Sequence, residues 1–214
     1  MSTGFNPERF DEVMKELRAR YEAFAPAPLD LVSQFVYSFL LWEAGAADAE
    51  RVFKRITAEI VDFNDLRIFL PDEIMSLLGT RYPRGPERAL RLRAALNELY
   101  QREHAVSFDR LKEAPKRESR QYVETLEGVP PFVSARLTLL GFGGHACPLD
   151  ERALACLIED GVFEESTPLD RATASLERHI KAAEGVETHI LLMQRREDGG
   201  GRGRGGGKKK TRKR

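Results

Sequence analysis

The apolar residues of this chain recur every three or four positions along most of its length, and no segment keeps the two-residue alternation of a strand. Asn6 followed by Pro7 gives an N-cap and a proline at the first helical position, which predicts a helix over about 7–24. The most apolar segment predicts a helix over 29–43 that is buried on most sides. Further helices are predicted over about 47–61, 65–69, 71–79, 86–103, 116–126, 150–159, 169–184 and 186–196. The sequence therefore predicts an all-α fold of about ten helices in one domain or two closely joined lobes.

The net charge of zero hides an uneven distribution. Residues 195–214 carry ten Lys or Arg and two acidic residues, so the other 194 residues carry 24 basic and 32 acidic side chains. The segment 198–214 has glycines and no apolar residue, which predicts a disordered tail after a folded domain over 1–197. We expect the tail to hold nucleic-acid phosphates without reading bases, and a solubilising tail or an expression scar is the open alternative. The candidate contacts are Arg202, Arg204, Lys208, Lys209, Lys210, Arg212, Lys213 and Arg214.

No metal site or cofactor is predicted. Cys147 and Cys156 are too few for a disulfide framework or a four-cysteine cluster, and His145 with Cys147 lacks a second pair of zinc ligands at suitable spacing. We expect His179 and His189 to be solvated or half-buried. The start has no signal-peptide pattern and the apolar segment is too short to span a bilayer, so we expect a cytoplasmic monomer without membrane contact.

The stretch L-E-G-V-P-P-F-V-S, from Leu126, follows one predicted helix and opens another. A helix, a tight turn with L-x-G-V and a second helix form the outline of a helix-hairpin-helix. In that motif, amide groups of the turn and of the second helix N-terminus converge on a DNA phosphate. Gly128 and Val129 are therefore candidate DNA contacts. A plain helical hairpin remains the alternative explanation.

An aspartate, Asp150, follows Leu126 by 24 positions, with a helix ending in L-G-F-G between them. This register resembles the endonuclease III branch of the helix-hairpin-helix DNA glycosylase superfamily (HhH-GPD), where the hairpin is L-P-G-V-G-R-K-T-A and a later V-D opens a helix. The segment P-L-D-L-V-S-Q-F-V-Y-S lies where the family has its buried helix. The resemblance covers residues 5 to about 195. It implies the two-lobed all-α glycosylase fold, binding to double-stranded DNA and a relation to base-excision repair.

Several family features are missing, so the chain resembles a degenerate member. Pro130 replaces the second glycine of the hairpin and has no N–H to offer a phosphate. Phe132 stands where bifunctional members have the lysine that forms a Schiff base, so AP lyase activity is not expected. The family's four cysteines are absent, and no iron–sulfur cluster is expected.

Asp150 is the one candidate catalytic residue. In the resembling enzymes this aspartate stabilises the positive charge on the deoxyribose as the base leaves. A helix N-cap alone explains this residue fully and is the favoured explanation, because Asp150 follows Pro148 and Leu149 and opens E-R-A-L; a cap and a catalytic residue can also be the same side chain. The leading hypothesis is a DNA-binding protein that is at most a monofunctional glycosylase. The alternatives are a scaffold that kept only the fold and binds a basic protein, and a protein that binds RNA through its tail.

Overall fold

The structure, a computed structural model, describes residues 4–23 and 27–201, with side chains as far as residue 199. Over these residues it contains eleven α-helices, two short 3₁₀ helices (Asp109–Leu111 and Ala182–Glu184) and one isolated bridge between Phe5 and Phe163. The predicted all-α class is confirmed. The helices are α1 Pro7–Arg20, α2 Leu31–Leu41, α3 Ala46–Glu59, α4 Phe63–Ile68, α5 Pro71–Leu78, α6 Gly85–Glu103, α7 Lys116–Glu124, α8 Pro131–Leu140, α9 Glu151–Glu159, α10 Leu169–His179 and α11 Gly185–Gly201.

Side-chain caps fix several of the helix starts. The Asn6 side chain accepts a hydrogen bond from the amide of Arg9 at 3.0 Å and begins α1. Asp30 accepts from the amides of Val32 and Ser33 and begins α2. These oxygens satisfy amide groups that have no partner inside the helix, so the helix starts agree with the sequence to within a few residues.

Two helices end several residues earlier than predicted. Tyr21 is extended, and α1 therefore ends at Arg20 instead of about residue 24. Ile180 is also extended and lies in the core, so the helix predicted over 169–184 ends at His179. Ile180 is buried, and Tyr21 packs partly buried against the same cluster with its hydroxyl bonded to Asp198, so in both places packing outweighs continuation of the helix.

The last helix, α11, continues to Gly201 and passes the predicted start of the tail at residue 198. The Asp198 side chain explains part of this extension, because it accepts hydrogen bonds from Arg20 at 2.6 Å and from the Tyr21 hydroxyl. The remaining tail, 202–214, includes all eight candidate nucleic-acid contacts and lies outside the described residues.

Two large hydrophobic clusters divide the helices into two lobes. The first is built from α2 to α8 around the completely buried Phe35 and Phe39 of α2. The second is built from α1 and α9 to α11. Met193 of α11 packs against both clusters. The junction of the lobes therefore lies between α2, α8 and α11.

Across the described residues, no helix is long and apolar enough to span a membrane.

Candidate functional site

The hairpin predicted from L-x-G-V is formed by α7, a turn over 125–130 and α8. Gly128 has φ +78°, a conformation that L-residues adopt with strain. A Cβ added there would lie 2.9 Å from the carbonyl oxygen and 3.1 Å from the Cα of Arg91 in α6. Only glycine fits this position, because the backbone of α6 packs directly against the turn.

Few amides of the hairpin are free to bind a phosphate. The Val129 amide donates to the Leu126 carbonyl at 3.3 Å, inside the turn. Pro130 and Pro131 have no N–H, and the Val133 amide donates to the Pro130 carbonyl at 2.9 Å. The amides that remain without a partner among the described residues are those of Gly128 and Phe132. The hairpin thus has its expected shape with a reduced set of donors.

Charges of both signs surround the turn. Glu127 is exposed, and its amide donates to the carboxylate of Glu98. On the α6 side, the Arg91 guanidinium donates to the Gly128 carbonyl at 3.3 Å. It also stacks over the indole of Trp42, as do Arg84 and Arg88, with guanidinium-to-ring distances of 5.7, 5.1 and 5.7 Å. Trp42 is nearly buried at 9% exposure, and this arginine cluster encloses it next to the hairpin.

Asp150 is completely buried and its carboxylate is fully engaged. One oxygen accepts from the Ala153 amide at 2.9 Å, which is the N-cap of α9 expected from the sequence. The other accepts from the Glu43 amide at 3.1 Å and pairs with the Arg196 guanidinium. Both side chains of this ion pair are 0% exposed. No part of the carboxylate faces solvent.

Arg196 joins three segments at the junction of the lobes. Besides Asp150, it donates to the Ala44 carbonyl at 2.8 Å and to the Glu197 carboxylate at 3.2 Å. It therefore fixes the end of α2 and the start of α9 to α11. From the sequence, Arg196 is only one charge of the basic C-terminal segment, because nothing in its local pattern indicates burial.

Glu43 lies beside this pair. Its own amide binds Asp150, and its side chain accepts from the Glu151 amide at 2.9 Å. Burial, and next the nearby Asp150 carboxylate, raise the pKa of Glu43 above its usual range.

A second buried polar group fills the same junction. Arg136 of α8 donates to the Ser38 hydroxyl at 3.0 Å and to the His189 imidazole at 3.3 Å. Burial lowers the pKa of Arg136 to about 10. Burial, followed by the charges of Arg136 and Arg196, holds the pKa of His189 well below its usual range. His189 is 4% exposed, so the prediction of a solvated or half-buried histidine was wrong; its position on α11, facing α8, decides its burial.

Phe132, at the lysine position of the resembling hairpin, also lies in this junction. It is 2% exposed, and its ring centroid is 6.4 Å from that of His189. Phe132, His189, Arg136 and Ser38 thus form a connected buried group of side chains from α2, α8 and α11.

The cysteines and histidines form no metal centre within the described part of the chain, where no group of three or more His, Cys, Asp or Glu side chains is arranged to hold an ion. The His145 ring nitrogen lies 2.6 Å from the Glu177 carbonyl oxygen. Burial raises the pKa of the Cys147 thiol to about 12. The iron–sulfur cluster of the resembling family takes four thiolates, and the two cysteines of this chain do not fit it.

The architecture is that of the all-α DNA glycosylases. A trapped endonuclease III–DNA covalent intermediate matches with a TM-score of 0.70 at 14% identity, over 88% of this chain and 84% of that chain. The Clostridium acetobutylicum 8-oxoguanine glycosylase/lyase with double-stranded DNA has a TM-score of 0.70 at 13% identity, over 90% and 68%. A thermostable thymine-DNA glycosylase has a TM-score of 0.64 at 15% identity, over 88% and 86%. No protein-family model and no curated protein sequence matches the chain. At these identities the similarity shows the fold.

Proposed function

We propose that this chain is a duplex DNA-binding protein that keeps the glycosylase architecture and does not cleave glycosidic bonds. The hairpin around Gly128 and the basic C-terminal tail hold the DNA backbone, and Asp150 has a structural role. The observation that carries the proposal is the combination of a formed hairpin with a carboxylate closed off by Arg196.

The fold and the hairpin support DNA binding. Two of the three similar structures described above contain DNA, and the hairpin of this chain has a glycine at positive φ in its turn. Phosphate contacts of this kind position a protein without reading sequence. Arg91 reaches the Gly128 carbonyl, and Arg84 lies over the same indole; together they carry two positive charges against the single carboxylate of Glu87, with which both pair.

The surroundings of Asp150 support the absence of catalysis. A carboxylate that stabilises a developing sugar cation must lie next to that sugar. Here its oxygens are occupied by two amides and a guanidinium, and both side chains of the ion pair are 0% exposed. Phenylalanine at position 132 offers no nucleophile for lyase chemistry.

A charge change in the turn tests the DNA-binding half of the proposal. Glu127→Lys removes an exposed carboxylate from the hairpin and adds a cation, so the salt dependence of duplex binding should steepen by about one phosphate contact, or about 0.9 in log–log slope. Glu165→Lys, an identical change in the loop between α9 and α10, is the matched control. Equal effects of the two substitutions, measured by fluorescence anisotropy, would contradict binding through the hairpin.

A base-release assay tests the other half. We expect the full chain to release no base from uracil-containing or oxidised duplexes and to leave abasic duplexes uncleaved. Release that disappears in Asp150→Asn would instead establish a monofunctional glycosylase.

A protein-interaction scaffold is the second candidate, and the acidic surroundings of the turn favour it. Glu98 occupies the Glu127 amide, and the body outside the basic segment is acidic, which repels phosphates. Truncation after Gly201 distinguishes the two, because it leaves α11 intact. Retained duplex binding by residues 1–201 would support DNA binding through the hairpin. Complete loss of binding would mean that only the tail binds DNA. If the tail then preferred RNA to DNA, RNA binding through the tail would be favoured.

A further inference from the structure

A polar concavity of about 560 Å³ lies on the first lobe, between α3 and the loop that joins α5 to α6. Its charged lining consists of three arginines, Arg51, Arg55 and Arg81, and a single aspartate, Asp48. The local charge is thus positive, although the body as a whole is acidic. A concave surface with a local excess of cations concentrates anions even on a protein of opposite overall charge.

Two of the three arginines have no carboxylate partner among the described residues. Arg55 donates to the Leu77 carbonyl at 2.9 Å, and Arg81 is exposed. Arg51 pairs with Asp48 at 2.6 Å. Because Arg51 and Arg55 are one turn apart on α3, they share a face of the helix. Their guanidinium groups can therefore approach one ligand together.

The loop that carries Arg81 is firmly held. The Tyr82 hydroxyl donates to the Leu40 carbonyl at the end of α2 at 2.8 Å. Gly79 adopts φ +92°, and the space beside its Cα is open. The loop is therefore tied to the end of α2, and no atom crowds the concavity beside Gly79.

This concavity connects to the hairpin through the arginine cluster around Trp42. Arg84, at the end of the same loop, lies 5.1 Å over the Trp42 ring. Arg91 lies over the same ring and donates to the Gly128 carbonyl. Arginines therefore recur from α3 through the loop to the turn at 125–130, and Arg84 and Arg91 share the Glu87 carboxylate as an ion-pair partner at 3.0 and 2.9 Å.

We propose that Arg51, Arg55 and Arg81 form a second phosphate-binding site, which extends the DNA interface from the hairpin along the duplex backbone. This inference rests on the proposed function. The ligand is a phosphodiester of nucleic acid, because planar guanidinium forks match phosphate oxygens in geometry and charge. It adds contacts in the folded domain that depend on neither the hairpin amides nor the tail.

The test compares two double variants of the full chain. Arg55→Gln with Arg81→Gln removes the two cations that lack a carboxylate partner. Arg171→Gln with Arg178→Gln is the matched control on α10, where Arg171 is exposed and Arg178, like Arg55, donates to a main-chain carbonyl, that of Ala174 at 3.1 Å. Duplex affinity is measured over a range of salt concentrations. Thermal melting verifies that each variant is folded.

We expect the concavity variant to reduce the log–log salt slope by about 2, because each lost phosphate contact accounts for about 0.9, while the control keeps the wild-type slope. Arg81→Lys should keep most of the slope. Equal slopes for the two double variants, with wild-type protein binding duplex DNA, would overturn the second site and leave the proposed function standing. Absence of duplex binding by the wild-type chain would overturn both.

A free polyphosphate offers the same chemistry as the backbone. Inorganic triphosphate at matched ionic strength should compete only weakly with duplex DNA. Tight triphosphate binding that Arg55→Gln abolishes, without any change in the DNA salt slope, would show a small-anion site and overturn the DNA assignment.

Discussion

At the scale of single residues, the junction of the lobes depends on a carboxylate that is not exposed to solvent. The Asp150 carboxylate is surrounded by the Arg196 guanidinium and two amides. A buried ion pair adds little net stability by itself, since both groups lose their hydration. Removing one partner is different, because the other charge is then left buried and alone.

Arg196→Ala should therefore lower the free energy of unfolding by about 3–5 kcal/mol. Arg195→Ala is the control in the next position of α11: its partner Asp160 is 20% exposed, so water can solvate the carboxylate that remains, and the loss should be smaller. Urea denaturation of both variants measures the difference. Similar losses for the two variants would show that breaking the buried Asp150–Arg196 pair costs no more than breaking the partly exposed Asp160–Arg195 pair.

His189 should make the protein sensitive to mild acid. Its pKa in the folded state lies well below the value of about 6.5 in the unfolded chain. Above pH 6.5 neither state binds the proton; below it only the unfolded state does, so stability falls by up to about 1.4 kcal/mol per pH unit. Glu43, whose pKa is raised, has the opposite effect on the pH dependence of stability, and it is the same residue in all the proteins that are compared.

His189→Gln keeps an acceptor for Arg136 and should flatten the stability profile as the pH falls from 6.5 to 5. His104→Gln, at an exposed position, is the control and should leave the wild-type slope. Melting temperatures across this pH range provide the comparison, and identical slopes for wild type and His189→Gln would contradict the assignment.

At the scale of elements, local sequence determines most helix starts. The side chains of Asn6 and Asp30 accept hydrogen bonds from amides at the helix N-termini, and Pro7 has no N–H that needs a partner. The starts of α1 and α2 were therefore predictable. The ends were less predictable, because Tyr21 and Ile180 leave the helix in order to pack against distant residues. The hairpin was predictable from L-x-G-V, since a glycine at positive φ is a local requirement.

The glycine of the hairpin can be tested against another glycine of similar backbone. Gly128→Ala and Gly79→Ala both place a Cβ at positive φ, which costs roughly 1–2 kcal/mol. Only at Gly128 does the added carbon also meet a backbone, that of Arg91, whereas nothing lies within 4 Å at Gly79. Gly128→Ala should therefore be clearly the more destabilising in thermal unfolding. Equal losses would mean that α6 moves aside without cost.

The state of the candidate site could not be predicted from the sequence. Asp150 was identified, and its cap was foreseen, because both depend on neighbouring residues. Its partner Arg196 is 46 positions away, and Arg136 and His189 are 53 apart. Pairs at such separations are set by how α8, α9 and α11 pack, which no local pattern records.

At the scale of the whole molecule, an acidic body is joined to a basic C-terminal segment. The body should repel DNA at long range outside its arginine-lined surface, and the tail should attract it. Electrostatic attraction of this kind is expressed in the salt dependence of binding, so the two contributions can be separated by measurement.

Truncation after Gly201 should reduce the log–log salt slope of duplex binding by about 4–5, as expected if the tail contacts four to six phosphates. The cut preserves Asp198 and its bonds to Arg20 and Tyr21, so the melting temperature should not change. Anisotropy titrations of the full chain and residues 1–201 make the comparison. An unchanged slope would assign the tail a role other than nucleic-acid binding.

The pairing of Asp150 with Arg196 also constrains how this chain can evolve. A mutation at either position alone would remove a large share of a total stability that is typically about 5–15 kcal/mol. Lineages should therefore inherit both residues together or exchange both for apolar ones, and a variant with a free carboxylate at position 150 would have to pass through a weakened intermediate.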